Sequence, residues 1–559
     1  MMRCSLAVLV FFGLVMLSAD VSAGEATSYL PVSHRAYDFL ERMEHLGVLP
    51  EARLGAKPIT RAEAAKLLYG IPKQSDWLTD VDLDELNYLL AEFKNDFFGN
   101  NRLSWDDRGP VKHVPNFLNG FVYRNRRNLF SANGDTYSLY LDPVIVREAS
   151  LGTDHAAGGD DNVYTYANGF KIRGTASEHV GFHIDVRDSK EFGSRDYSDE
   201  TIVTMPGRGW VSSKGDHVEF DETSAHLAYS NGPFNVMYGR GKNVWGRGKR
   251  GTLALSGYGS PYDMFRLETG FWKLKFIFFA AEIEQHPAVA NYYYNDPMSS
   301  GSDSVMVKKR MSGHRVELDL TDRINIGLYE NVVYGGRWDW SYLNPVMFLK
   351  GAEHTNGDHD NAVMGMDFRV MVHHAHSLYG EFFIDDITTT KLGTDWYGNK
   401  LAYQLGTFLV MPFGLRDVDA RLEYTRIKPW VYTNRLKYNT YTHYGDVLGS
   451  PLGPNSDEVF MQFRKRFSRR IHTALSFVRR RHGANPDGVN VGGDPLTGYR
   501  DGDSKEAEFL AGDLAVSKQV SFDMSYEIFW ELFARIGYTY DDLNGDRTNI
   551  YRFSLGLNQ

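Results

Sequence analysis

The sequence predicts an all-β transmembrane β-barrel of about 18 antiparallel strands behind a small N-terminal α-helical bundle. Three observations predict it. From about residue 136 onward, apolar and polar residues alternate with a period of two. The connections between these stretches sort into short and long ones. The chain opens on a secretion signal, and no later apolar run has the length of a membrane helix.

The signal has a basic start (Arg3), an apolar stretch over 6–17 and the small-x-small pattern Val21-Ser22-Ala23. Cleavage after Ala23 divides the chain into a signal peptide (1–23), a periplasmic helical bundle (24–112) and the barrel (113–559). The single cysteine, Cys4, lies in the signal. The mature chain therefore has no disulfide, thiolate metal site or cysteine nucleophile. Arg3 and Asp20 cancel, so the mature chain keeps the formal charge of −10, which argues against nucleic-acid binding. Aromatics make up 14% of residues, a usage that suits strands and interfacial girdles.

In the bundle, Val32, Ala36, Phe39, Leu40, Met43 and Leu46 form a helical stripe that Gly47 ends. Thr60 and Glu63 form a capping box ahead of Ala64, Leu67 and Leu68. Asp82 is placed as the cap of a third helix carrying Leu86, Leu89, Leu90 and Phe93. The period then switches to two. Strands are expected near 136–146, 163–175, 178–187, 223–230, 234–240, 264–272, 274–284, 313–321, 324–334, 362–371, 376–385, 402–411, 418–427, 457–466, 471–480, 519–526, 532–540 and 549–557. Val180, Phe182, Ile184 and Val186 show the pattern, as do Tyr551, Phe553, Leu555 and Leu557. Short connections fall near 175–179, 231–233, 321–323, 373–376, 412–417 and 467–470. Long, glycine-rich ones fall near 188–222, 241–262, 286–312, 336–361, 387–401, 428–456 and 482–503. Bacterial outer-membrane barrels sort their periplasmic turns and outer loops in this way. A further segment, 117–130, is strand-like and would spoil the even count.

Four stretches resemble the capsule assembly Wzi family. They are 31–49 continuing into Leu54-Gly55-Ala56-Lys57-Pro58-Ile59-Thr60-Arg61-Ala62-Glu63-Ala64-Ala65; Tyr238-Gly239-Arg240 through Trp245-Gly246-Arg247-Gly248 to Leu253-Ala254-Leu255-Ser256; Arg337 through Asn344-Pro345-Val346-Met347-Phe348; and Tyr441-Thr442-His443 with Leu448-Gly449-Ser450-Pro451-Leu452-Gly453-Pro454-Asn455. They span most of the mature chain in the family's order. The resemblance implies an outer-membrane barrel with a helical bundle near its periplasmic end. It also implies a lectin role, holding capsular polysaccharide at the cell surface. The sugar itself does not carry over.

Segment 240–250 is basic and glycine-rich with one tryptophan. Trp245 would stack on a pyranose while Arg240, Arg247 and Arg250 fork onto sugar carboxylates. The same composition suits a structural loop folded into the lumen, which the residues alone favour. Asn344, in the third family-like stretch, joins these as a polysaccharide-binding candidate. Arg464, Lys465, Arg466, Arg469 and Arg470, with Arg479, Arg480 and Arg481, flank one hairpin; lipid head groups are the favoured partner there, an anionic polysaccharide the other. His373, His374 and His376 fall at a short turn, and His354 and His359 in a long loop, so no shared metal site is expected. Glu381 and Asp385 share a strand face, the minimum for glycoside hydrolysis. No nucleophile elbow accompanies them.

The expected protein is a non-enzymatic, cofactor-free, lectin-like outer-membrane barrel that binds capsular or other surface polysaccharide. Its partners are that polymer, outer-membrane lipids and the polysaccharide export machinery, with long loops extracellular. A solute-conducting porin and an outer-membrane glycan or lipid hydrolase are the alternatives.

Overall fold

The computed structural model describes residues 26–98, 127–134, 136–154, 159–195, 197, 202–286, 293–295, 304–306 and 308–558. The signal peptide and most of 117–130 lie outside them. Eighteen long antiparallel strands, counted among the described residues, close into one barrel. In chain order they are β1 (Ser138–Asp154), β2 (Gly159–Thr175), β3 (Val180–Gly193), β4 (His217–Asn231), β5 (Phe234–Gly241), β6 (Tyr262–Phe271), β7 (Leu274–Ile283), β8 (Lys309–Thr321), β9 (Ile324–Gly335), β10 (Asn361–His373), β11 (His376–Asp386), β12 (Lys400–Val410), β13 (Val418–Ile427), β14 (Ser456–Arg466), β15 (Ile471–Ala484), β16 (Asp513–Phe529), β17 (Leu532–Leu543) and β18 (Asp546–Leu557). Each pairs with the next, and β18 pairs with β1 from Asn549↔Thr153 to Leu557↔Ile145. Closure leaves no open strand edge, which is what lipid demands of a spanning sheet.

The alternation has its expected cause. On β16, Val520, Phe522 and Tyr526 face outward while Ser521, Gln519 and Glu527 face the lumen. On β12, Leu405 is 54% exposed and its neighbour Gln404 only 1%. Such a continuous apolar exterior is stable against lipid and not against water. Several strands run longer than expected; β1 and β2 continue in register to Asp154↔Gly159.

The connections at one end are all short, including 176–179, 232–233, 272–273, 374–375 and 530–531. At the other end two are also short, 155–158 and 544–545, and both lie next to the seam of the barrel. Of the strand-like segment 117–130, residues 117–126 lie outside the described residues; a short strand, Phe130–Asn133, belongs to the barrel sheet and pairs with the start of β1.

Helices α1 (Ala36–Leu46), α2 (Arg61–Gly70), α3 (Asp80–Glu92) and α4 (Lys94–Phe98) occupy the short-turn end. Gly47 ends α1 in the left-handed region at φ 86°. The cap of α3 is Thr79 rather than Asp82; Asp82 is the third helical residue and completes a capping box. Thr60 caps α2 by accepting from Glu63 N, but the Glu63 carboxylate turns away to Lys275 on β7, 3.0 Å distant. The cap box is thus half-built because the barrel wall competes for its acid. The bundle packs on the turns: Trp77 stacks on His374, and Tyr88 donates to Glu527 at 2.8 Å. Its apolar core continues into the wall through Tyr379, Phe408 and Val410.

Replacing outward Leu405 by Arg should destabilise the barrel by about 2–4 kcal/mol if it sits near the bilayer midplane. Replacing inward Ser521 by Arg should cost much less. Urea unfolding in lipid vesicles measures both.

Candidate functional site

The lumen is filled from both ends. From the short-turn end, the bundle sends in residues 55–57. From the other end, the loop between β5 and β6 folds inward. The two meet as a small ladder, Ala56↔Trp245 and Lys57↔Val244. Gly246 N donates to Gly55 O at 2.8 Å, and Trp245 N to Leu255 O at 2.9 Å. Gly246 has φ 117°, and a Cβ there would lie 2.6 Å from a Glu381 carboxylate oxygen. Only glycine fits both the angle and the space.

Charge holds this plug. Arg247 donates to Glu44 of α1 at 2.6 Å and to Asn325 of β9 at 2.8 Å. Glu44 also meets Arg369 of β10 at 3.1 Å. Burial opposes ionisation of Glu44, yet Arg247 and Arg369 hold its carboxyl below the usual range. Arg421 of β13 pairs with Glu41 at 3.0 Å, and Arg42 pairs with Asp82 at 3.0 Å and with Asp419. The wall carboxylates grip loop backbone. Glu381 accepts from Leu253 N at 2.8 Å, Ala254 N at 2.9 Å and Tyr329 Oη at 2.8 Å. Glu423 accepts from Lys249 N at 2.7 Å. Asp385 accepts from Tyr432 N, in the loop between β13 and β14. That second loop also folds inward: Tyr432 Oη donates to Leu253 O at 2.9 Å, and Ser256 N to Leu448 O at 2.9 Å.

The candidate residues separate on this map. Trp245 is completely buried, edge-on to Phe279 at 5.4 Å between ring centres, so a pyranose has no access to its face. Arg247 is consumed by Glu44 and Asn325. These two are corrected from sugar ligands to plug anchors. Arg250 is partly exposed and pairs with Glu458 at 3.1 Å. Arg240 is about half-exposed and pairs with Asp263 at 2.6 Å. Asn344 is exposed in the loop between β9 and β10, where its side chain accepts from Val346 N. Beside it in sequence stand Trp340, 86% exposed, and Phe348, 60% exposed, which composition did not single out.

Part of the arginine cluster also needs correction. Arg464 pairs with Asp38 at 2.9 Å, Arg466 with Asp82 at 2.8 Å, and Arg469 with Glu527. These face the plug rather than lipid head groups. Arg480 and Arg481 pair with Glu458 and Asp457. The histidines do sit at opposite ends: His374 against α1, and His354 on the short helix Leu349–Thr355 of a long loop. Glu381 and Asp385 share the inner face, as their spacing predicts, but both are occupied by loop backbone.

A closed barrel with a lipid-facing exterior and a lumen filled by its own N-terminal segment and inward loops is a plugged transmembrane β-barrel. Residues 161–543 match the family described as Capsule assembly protein Wzi. The chain belongs to that family, and it is an outer-membrane β-barrel. It is similar to Wzi of Escherichia coli, described as an outer membrane protein involved in group 1 capsule assembly and a carbohydrate-binding β-barrel. The identity is 13%, over 92% of this chain and 97% of that one, with a TM-score of 0.53. Acinetobacter baumannii OccAB1 matches at 11% identity over 75% of this chain and 96% of that one, TM-score 0.42. Pseudomonas aeruginosa OprD matches at 11% over 75% and 94%, TM-score 0.40. No curated protein matches the sequence.

Replacing Arg247 by Leu leaves the buried Glu44 with Arg369 as its remaining cation and should cost up to about 3–5 kcal/mol, the range for a broken buried pair. Adding Glu44→Gln should recover part of that loss. Urea titrations of the two single variants and the double variant give the coupling. His45, buried between Tyr379 and Phe408, has its pKa lowered by burial, with Glu41 only partly opposing. Its folded form is neutral, so unfolding takes up a proton below the unfolded pKa of about 6.5. Stability should hold above that pH and fall as pH drops below it, by at most about 1.4 kcal/mol per pH unit for this group. His45→Gln should flatten that slope in a series of thermal melts.

Proposed function

We propose that this protein is a lectin-like outer-membrane barrel that binds capsular or other surface polysaccharide and helps assemble and anchor it at the cell surface. The carrying observation is the family match over 161–543. The E. coli relative's description as a carbohydrate-binding β-barrel supports it. The filled lumen supports an attachment role over a solute channel. Glu381 and Asp385, already occupied by backbone amides, favour a non-enzymatic protein over a hydrolase.

In this reading the helical bundle faces the periplasm and the long loops face outward, as the short-turn rule suggests. The polymer meets the outer loops at Asn344, with Trp340 as the stacking platform; Arg240, at the end of β5, and Arg250, partly exposed in the inward-folded loop, are the further contacts. Trp340 presents a nearly free indole, and Arg240 and Arg250, partly exposed and paired with Asp263 and Glu458, supply guanidinium groups for which a sugar carboxylate would compete. Each contact is weak, and repetition along the polymer supplies avidity. Outer-membrane lipids surround the apolar belt, and the polysaccharide export machinery is the expected supplier of the polymer.

Deleting the gene should release surface polysaccharide from cells into the medium without lowering its synthesis, as measured by uronic-acid or hexose assay of cell and supernatant fractions. Fully cell-attached polymer would defeat the reading. With purified protein on a glycan array, Trp340→Ala and Asn344→Ala should each weaken binding by roughly 2–10-fold.

A further inference from the structure

The plug does not fill the lumen evenly. It is tied most densely to β6–β14, where wall side chains such as Arg266, Arg315, Glu317, Asp367 and Arg369 are fully buried. Against β14–β18, β1 and β2 it leaves a cavity of about 530 Å³ at the start of α1. That volume lies in the range, roughly 300–1,000 Å³, of cavities that hold organic ligands.

The lining is cationic. Nine arginine and lysine side chains line the cavity against five carboxylates. Some are committed: Arg42 and Arg466 to Asp82, and Arg469 to Glu527. Others are not. Arg470 is exposed and has no carboxylate partner among the described residues. Lys171 stands 3.8 Å from Asp185, and Arg552, which donates to Thr539 Oγ1 at 2.8 Å, stands 3.9 Å from Asp523, both at the edge of ion-pair distance. Helix α1 begins at this cavity, its N-cap Arg35 makes no side-chain cap bond, and its positive end adds to the field.

The rest of the lining suits a sugar. Phe533 offers an aromatic ring, and Ser525 and Ser554 offer hydroxyls on the same wall. Guanidinium forks match carboxylates, and an aromatic face matches a pyranose. We propose that this luminal cavity, at the plug end of the barrel and separate from the outer loops, is a second binding site for a carboxylated saccharide, with Arg470, Lys171 and Arg552 as its anion-binding side chains. The proposal builds on the polysaccharide-binding reading above and names the charge class of sugar the barrel accepts on its inner side.

The test is isothermal titration calorimetry on the purified full chain with sodium glucuronate, with glucose and inorganic phosphate as comparison probes. Glucuronate should bind, glucose should not, phosphate should bind more weakly than glucuronate, and raised salt should weaken glucuronate binding. The triple variant Lys171→Gln, Arg470→Gln, Arg552→Gln should lose at least tenfold in glucuronate affinity. Lys518→Gln, which removes an exposed cation elsewhere on β16, should leave that affinity unchanged. Circular dichroism and heat-modified electrophoretic mobility establish that each variant is folded. Glucose binding as tightly as glucuronate, phosphate binding as tightly, or unchanged affinity in the folded triple variant would each overturn the proposal. Polymer binding that survives on the glycan array while glucuronate binding is absent removes only the luminal site. Loss of both removes the polysaccharide reading itself.

Discussion

The contact on which the rest of the lumen depends is the ion pair between Arg247 and Glu44. One partner comes from a loop at the far end of the barrel and the other from a helix at the near end, 203 residues apart in the chain. Each is taken out of water, so neither is tolerable alone. Asn325, Glu317 and Arg369 of the wall complete the set. The plug is therefore held to the wall and to the loop at once. The same logic repeats at Glu381 and Glu423, whose carboxylates accept loop amides that would otherwise be buried without partners.

This arrangement explains why the conspicuous residues of the β5–β6 loop are not on the surface. A glycine-rich backbone can enter a crowded lumen, and Gly246 shows the limit, with no space for a Cβ beside Glu381. Trp245 fills the centre of the barrel against Phe279 and Tyr329. With the lumen largely occupied, the proposed polymer surface is the long loops, where Trp340 and Asn344 are exposed. The wall on the β14–β18 side stays partly open, and there the surplus of arginine gives the interior a chemistry of its own.

The barrel was legible because its rule is local. Lipid on one side and a polar lumen on the other impose a period of two, visible in Tyr551, Phe553 and Leu555 without any knowledge of their neighbours. Membrane-belt strands and their short turns followed directly. What the sequence could not carry was the direction of the loops. Trp245 and Arg247 have the composition of a sugar platform, and only partners from distant segments make them a plug. Arg464 and Arg466 look like charges for a membrane surface until Asp38 and Asp82 are seen behind them. Asp82 itself was misplaced by three residues, because Thr79 and Asp82 both satisfy a cap and only geometry separates their roles.

In the reading proposed above, the N-terminal segment and the inward loops close the barrel to solutes, and the protein binds polysaccharide rather than conducting. Single-channel recording of the purified protein in a planar bilayer tests it most directly. The account predicts no steady unitary current at moderate voltage, with conductance appearing when the Arg247–Glu44 pair is broken. Large, steady currents from the intact protein, comparable to those of an open 18-stranded pore, would contradict it.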